Sequence, residues 1–347
     1  MKTENYHEQT NAQNILKLRD ILKELPLFVT NYFNGLSDQA ASLTRLGYAY
    51  DLRIFFGFLS EVVFDGRPLR EISINDMTKI QSEDIEAFMA YLSYYIPPGE
   101  TGKQNAALGK SRKLAAVRGL FKHLYMKKHI LANPSELVAF PKIHEKTITT
   151  LEVDEIAKLL DEVDSGESLT PKQKQFHERT KLRDAAIITL LLGTGMRVSE
   201  CVGLDIGHVE FDIGGLYVVR KGGNEMILYF GREVEAALLA YMEEREKITP
   251  REGHENALFL SLQNRRLTDR AIQNMVKKYA SLITRLKNIS PHKLRSTFGT
   301  QLYAETGDIY LVANVLGHAD VNTTRKHYAK MDDTYRRRAA NAVRLRE

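Results

Sequence analysis

"LYVVRKGGNEMILYF", residues 216–230, reads as two short strands folded back on one another. β-branched and aromatic residues flank Gly222-Gly223, a pair suited to a tight hairpin turn. The pattern around this stretch is helical, so the hairpin decides between an all-helical chain and a mixed one. Four helical segments follow it, at roughly 234–246, 268–285, 292–305 and 308–316. Before it come a helix, "VDEIAKLLDEV" (153–163), a polar loop or insertion, "SGESLTPKQKQFHERT" (165–180), and an apolar helix ended by glycine, "LRDAAIITLLLGTGM" (182–196). The expectation is a mainly α chain whose second part is α+β, with one small antiparallel sheet.

The first part is patterned for helices alone. "ASLTRLGYAYDLRIFFGFLSEVVF" (41–64) sets Leu46, Tyr50, Ile54 and Phe58 at four-residue steps, an apolar stripe. "SEDIEAFMAYLSYYI" (82–96) opens on Ser82 as an N-cap and is stopped by Pro97-Pro98. "GKSRKLAAVRGLFKHLYMKKH" (109–129) aligns Leu114, Val117, Phe121 and Leu124 on one face, and residues 103–129 hold eight Lys or Arg with no Asp or Glu. "LANPSELVAFPKIHEKTITT" (131–150) breaks the periodicity with Pro134 and Pro141, the mark of an interdomain connection. The expected division is a helical domain over 1–140, a linker over 141–150, and a second domain over 151–347 that ends in a tail helix.

At 347 residues the chain can bury two cores, and its 43% hydrophobic and 27% charged content is ordinary for a globular protein. No apolar run approaches the ~20 residues of a membrane span, and "MKTENYHEQTNAQN" (1–14) lacks the apolar stretch of a signal peptide. These features predict a cytoplasmic, bacterial-type protein without a membrane anchor. The single cysteine, Cys201, excludes an internal disulfide and a multi-cysteine zinc site. A net charge of +5 is too small by itself to imply nucleic acid, so the placement of charge matters more.

"LGHADVNTTRKHYAK" (316–330) sets Tyr328 beside His327, Arg325 and Lys326, ten residues after His318. A tyrosine is a poor nucleophile at neutral pH, since its unperturbed pKa is about 10. Several residues could activate it, and each has an ordinary reading. Arg197 in "GTGMRVSE" (193–200) would be a capping or surface arginine, and Lys221 a solvated turn lysine. His292 and Arg295 in "PHKLRST" (291–297) share a helix face. His318 suits the C-terminal end of a helix, and Tyr328 alone would be a packing residue.

Taken together and in this order, the residues are less ordinary. From about residue 40 to 330 the chain resembles the tyrosine recombinase family, the integrases and Xer-type recombinases; the match is specific in the second domain and loose in the first. "LKELPLFVTNYF" (22–33) is similar to the single-recombinase Xer proteins of Gram-positive bacteria.

The resemblance implies a helical core-binding (SAM-like) domain and an α+β catalytic domain. It also implies a reaction. Tyr328 attacks a DNA phosphodiester to give a 3′-phosphotyrosyl link and a free 5′-hydroxyl, which another strand's 5′-hydroxyl later reverses. Arg197 and Arg295 would clamp the non-bridging oxygens, with His318 as a further donor and Glu200 supporting Arg197. His292 would accept the tyrosine proton and Lys221 would protonate the departing oxygen. Arg220 is a rival to Lys221, although strand alternation should point the two to opposite faces. His327 and Tyr335 are rivals to His292 and Tyr328. The implied chemistry needs neither metal nor cofactor.

Double-stranded DNA would be held in a two-domain clamp. In the first domain Lys110, Arg112, Lys113, Arg118 and Lys122 would face it, together with Thr44, Arg45 and Tyr48. In the second, Arg265, Arg266 and Arg270 lie near a helix start capped by Thr268, with Lys277 and Lys278 beyond. The tail "MDDTYRRRAANAVRLRE" (331–347), with Ala339, Ala342 and Val343 forming an apolar strip, would dock on a neighbour. That implies a homotetramer on two DNA sites, built from a protein that is largely monomeric when free. Chromosome dimer resolution and mobile-element integration or excision both fit. The rival readings are a type IB topoisomerase-like relaxase and a non-catalytic DNA-binding regulator.

Overall fold

Buried phenylalanines build the first unit. In the computed structural model, residues 6–96, 101–143, 149–220, 224–284, 286–317 and 321 are described, and the chain divides into units Met1–Glu145 and Lys146–Glu347. The first unit runs α1 (Tyr6–Leu22), α2 (Leu27–Gly35), α3 (Ser42–Phe58), α4 (Ile74–Met77), α5 (Ser82–Tyr91) and α6 (Ala107–Met126). Phe55 of α3 meets Phe56, Phe88 and Phe121 edge-on, at centroid distances of 5.7, 5.1 and 6.2 Å. Each fully buried ring of this kind contributes roughly 1.5–3 kcal/mol. Leu114, Val117, Phe121 and Leu124 of α6 are all buried, as their spacing predicts.

The stripe expected on α3 is only half right. Leu46 and Phe58 are buried, but Ile54 is half-buried and Tyr50 is 42% exposed. The buried arc is wide, taking in Ala49, Leu52, Phe55 and Phe56. Four-residue steps drift by about 40° each around a helix, so the stripe crosses the narrow open arc at Tyr50 and Ile54. Helix α5 begins one residue off the expectation: Ser82 is already helical, and Gln81 is the cap, its N–H donating to Asp84 Oδ2 at 2.8 Å. The first part of the presumed connection also packs on this unit. Pro134–Glu136 forms a 3-10 turn, and Ser135 and Val138 are buried.

The second unit holds α7 (Val153–Ser165), α8 (Pro171–His177), α9 (Lys181–Thr194), α10 (Val198–Val202), β1 (Val209–Glu210), β2 (Gly215–Val219), β3 (Glu225–Tyr229), α11 (Arg232–Arg245), α12 (Asp269–Ile283), α13 (Pro291–Thr306) and α14 (Ile309–Leu316). Helix α9 is its axis, with Ile187, Ile188, Leu190 and Leu191 inaccessible and α7, α11 and α13 packed around it. The antiparallel sheet has order β1-β2-β3, with Leu216 opposite Leu228 and Tyr217 opposite Ile227. Strand β1 was not expected; at two residues it is too short for alternation to mark it.

The stretch 165–180 is not simply a loop. Thr170 and Gln173 form a capping box that starts α8, with Pro171 in its first turn. His177 at its end is 1% exposed, and its Nδ1 lies 3.1 Å from the Tyr279 hydroxyl. No helix among the described residues is long and apolar enough to cross a membrane.

Candidate active site

Helix α9 stops at Gly195, whose φ of +62° reverses the chain. A side chain could not replace it: a Cβ there would lie 2.3 Å from Phe298 Cδ1 and 2.9 Å from Leu316 Cδ2. Two residues on, Arg197 precedes α10 in an extended conformation. Buried Glu200 accepts from both the Arg197 backbone N–H and its Nη1, each at 2.8 Å. This fixes the guanidinium, whose Nη2 donates to Gly317 O at 3.2 Å.

Arg295 arrives from α13, which starts on Pro291. It is 5% exposed, donates from Nη1 to Gly195 O at 2.7 Å and from Nη2 to Leu316 O, and so joins the ends of α9 and α14. His292, one turn earlier, is exposed at the helix start.

The last carbonyls of any helix lack intrahelical partners and carry its negative dipole end. At the end of α14 three arginines reach four successive carbonyls, the first of which, Asn314 O, also accepts from the Gly317 N–H at 2.9 Å. Arg220 takes Asn314 O at 3.4 Å and Val315 O at 2.5 Å, Arg295 takes Leu316 O, and Arg197 takes Gly317 O. Burial lowers the pKa of Arg220, Arg197 adds to that, and Glu200 opposes it. A guanidinium stays charged in any case. Among the described residues, three cations beside one carboxylate leave this corner positive, and guanidinium forks match phosphate oxygens.

The sequence did not assign Arg220 to this cluster. Lys221, His318 and Tyr328 lie outside the described residues, as do His327, Tyr335 and the tail 331–347.

The basic candidates for DNA contact separate by environment. Arg112, Lys122, Arg265, Arg270 and Lys277 are exposed, although Arg112 also pairs with Asp51 at 2.7 Å. Thr44, Arg45, Tyr48 and Lys278 are half-buried; Lys110 is too, and donates to Ser93 Oγ at 2.6 Å. Three candidates are placed differently from the expectation. Lys113 is 5% exposed, with its ammonium 2.9 Å from Asn105 Oδ1 and 3.6 Å from Asp51 Oδ1. Arg266 donates to Val202 O at 2.9 Å, to Leu204 O at 2.8 Å and to Asp205, bracing the end of α10. Arg118 donates to Ser135 O at 3.0 Å, Glu136 O at 3.3 Å and Val138 O at 2.5 Å, with its guanidinium 4.3 Å from the Phe140 ring centre. These cations meet carbonyls and carboxylates of their own unit, which spacing along a helix does not reveal.

Arg118→Ala should therefore act on stability. The Ser135 and Val138 carbonyls are part-buried and the Glu136 carbonyl is open to water, so denaturant unfolding of the first unit should weaken by about 1–3 kcal/mol. The salt dependence of DNA binding should keep its slope, whereas Lys122→Ala should shallow it by about one unit. An Arg118 variant of normal stability and shallower slope would restore the phosphate-contact reading.

Comparison with known proteins covers both units. The profile of the phage integrase family matches residues 149–334. The tyrosine recombinase XerC of Caldanaerobacter subterraneus subsp. tengcongensis is 33% identical over 344 residues, covering 96% of this chain and 89% of that protein. The XerC of Thermodesulfovibrio yellowstonii is 30% identical over 305 residues, covering 86% of this chain and 90% of its own. Among solved structures, the XerH site-specific recombinase bound to its difH substrate before cleavage superposes with a TM-score of 0.59 at 25% identity, covering 84% of this chain and 76% of that one. A lambda integrase tetramer on a Holliday junction shares the fold, with a TM-score of 0.58 at 16% identity over 86% of this chain and 76% of that one.

Proposed function

The chain belongs to the phage integrase family, and from that premise we propose that Arg197, Arg295 and His318 bind a scissile DNA phosphate that Tyr328 attacks. The protein is a tyrosine site-specific recombinase, which cuts and rejoins DNA through a 3′-phosphotyrosyl intermediate. The observation that supports the arginine assignment is their convergence on adjacent carbonyls, Leu316 and Gly317, immediately before His318. Each guanidinium has five N–H donors, so the bonds that hold it leave others for phosphate. Glu200 keeps Arg197 oriented without itself touching DNA.

The step balances without a nucleotide. The Tyr328 oxygen forms a bond to phosphorus as the bond to the 5′-oxygen breaks. His292 accepts the phenol proton, and Lys221 gives a proton to the departing oxygen. The two arginines and His318 stabilise the charge gathering on the non-bridging oxygens. A strand's 5′-hydroxyl then attacks the phosphotyrosine and frees the enzyme.

For assembly, we infer a tetramer on two duplexes, formed from protein that is largely monomeric when free. Supporting it is a groove of about 340 Å³ in the second unit, lined by Leu160, Leu192, Phe298 and Leu302 and edged by Glu233 and Glu305. The tail sets Arg336, Arg337, Arg338, Arg344 and Arg346 around Ala339, Ala342 and Val343. A neighbour's tail helix suits the groove in both polarity and charge.

The test begins by selecting the bound site from host DNA and placing two copies on one supercoiled plasmid. Deletion or inversion between them is expected from the full chain, and relaxation without recombinants would favour a topoisomerase. Truncation after Met331 should keep single-site binding yet lose synapsis and exchange, and Leu302→Arg should behave alike. Full recombination by both variants would remove tail exchange from the mechanism.

A further inference from the structure

Arg220 lies just past the end of β2, and its two ends hold different elements. Its backbone N–H donates across the hairpin to Asn224 O at 2.8 Å. Its guanidinium reaches α14, where Nη1 is 3.4 Å from Asn314 O and Nη2 is 2.5 Å from Val315 O. The next two carbonyls of that turn are the ones Arg295 and Arg197 take. The side chain also fills a reserved space: Gly317 has a φ of +60°, and a Cβ on it would lie 1.4 Å from Arg220 Nη1. Nε is buried and has no partner among the described residues. Burying an unpaired donor is unfavourable, so the two terminal bonds and the packing must outweigh that loss.

We propose that Arg220 is a positioning residue that ties the base of the β2–β3 hairpin to the last turn of α14, and that this tie serves proton donation by the next residue in the chain, Lys221. The proposal rests on the reading of Lys221 as the general acid. A proton donor on an untethered hairpin would meet the departing oxygen only part of the time. A displacement of even 1 Å can cost about 10²-fold in rate. Arg220 itself points at carbonyls, which leaves the proton transfer to its neighbour.

The experiment measures single-turnover cleavage of nicked duplexes with the full chain and its Arg220→Ala, Arg220→Lys and Lys221→Ala variants. One duplex has the ordinary bridging 5′-oxygen, and the other has sulfur there, a leaving group that needs no proton. Lys221→Ala should be about 10²–10⁴-fold slow on oxygen and close to the parent rate on sulfur. Arg220→Ala should be about 10²-fold slow on oxygen and within about threefold of the parent on sulfur, with DNA affinity unchanged. Arg220→Lys should fall between the parent and Arg220→Ala on oxygen, because an ammonium lacks the planar fork that spans both carbonyls. If Lys221→Ala is rescued by sulfur but Arg220→Ala is slow on both duplexes, Arg220 supports the phosphate or the fold, and positioning is overturned. Normal cleavage of both duplexes by Arg220→Ala overturns it too. If sulfur rescues Arg220→Ala and not Lys221→Ala, the lysine reading fails and the acid is Arg220 itself.

Discussion

Tyr328→Phe is expected to leave no SDS-stable DNA adduct, a loss of at least about 10⁴-fold in cleavage. The phenol oxygen is the only heavy atom removed, so DNA affinity should stay within about twofold of the parent. With the hydroxyl gone, the phosphate site proposed for Arg197 and Arg295 would still have a phosphate to hold but no group to attack it. A nicked duplex that traps the covalent intermediate gives the readout on a denaturing gel. An adduct formed by the variant would move the nucleophile elsewhere, and Tyr335 is the nearest tyrosine after it.

Arg295→Lys should slow single-turnover cleavage by about 10³-fold, the usual cost of losing an oriented donor to a charged transition state. Arg295 bridges Gly195 O and Leu316 O across two helix ends while 5% exposed. A lysine offers one compact ammonium, which cannot span both carbonyls and also present a fork to phosphate. Stability should fall as well, by about 1–3 kcal/mol, because one buried carbonyl loses its donor. Measuring cleavage at a temperature where circular dichroism shows the variant fully folded separates the two effects. Retention of more than a tenth of the activity would mean that charge alone suffices at this position.

Much of this arrangement is legible in the chain. Glycines mark the ends of α9 and α14 because the reversal after each helix needs a positive φ, and Thr268 caps α12 through Ala271 N at 3.2 Å. The spacing of Arg197 and Glu200, three residues apart at a helix start, anticipates their pairing. The hairpin shows because Gly222-Gly223 separates two runs of strand formers. What stays hidden depends on contacts between distant segments. Periodicity turns Arg118 to the same side of α6 as other cations, but only the folded chain brings the 135–138 carbonyls to it. Alternation speaks only to the faces of Arg220 and Lys221, and carries no sign of the α14 carbonyls that Arg220 meets, which belong to a segment more than ninety residues away. Helix α8 was masked by its polar composition, although Thr170, Pro171 and Gln173 do carry a helix-start signal.

Tryptic digestion of the trapped adduct, followed by mass spectrometry of the DNA-linked peptide, tests the covalent assignment directly. Cleavage after Lys326 and Lys330 isolates Tyr328 in the peptide 327–330, whereas Tyr335 falls within 331–336. The expected product carries a 3′-phosphoryl nucleotide on the 327–330 peptide, and the departing strand bears a free 5′-hydroxyl. Attachment within 331–336, or a link through a 5′-phosphate, would contradict the assignment of Tyr328 as the nucleophile of this recombinase.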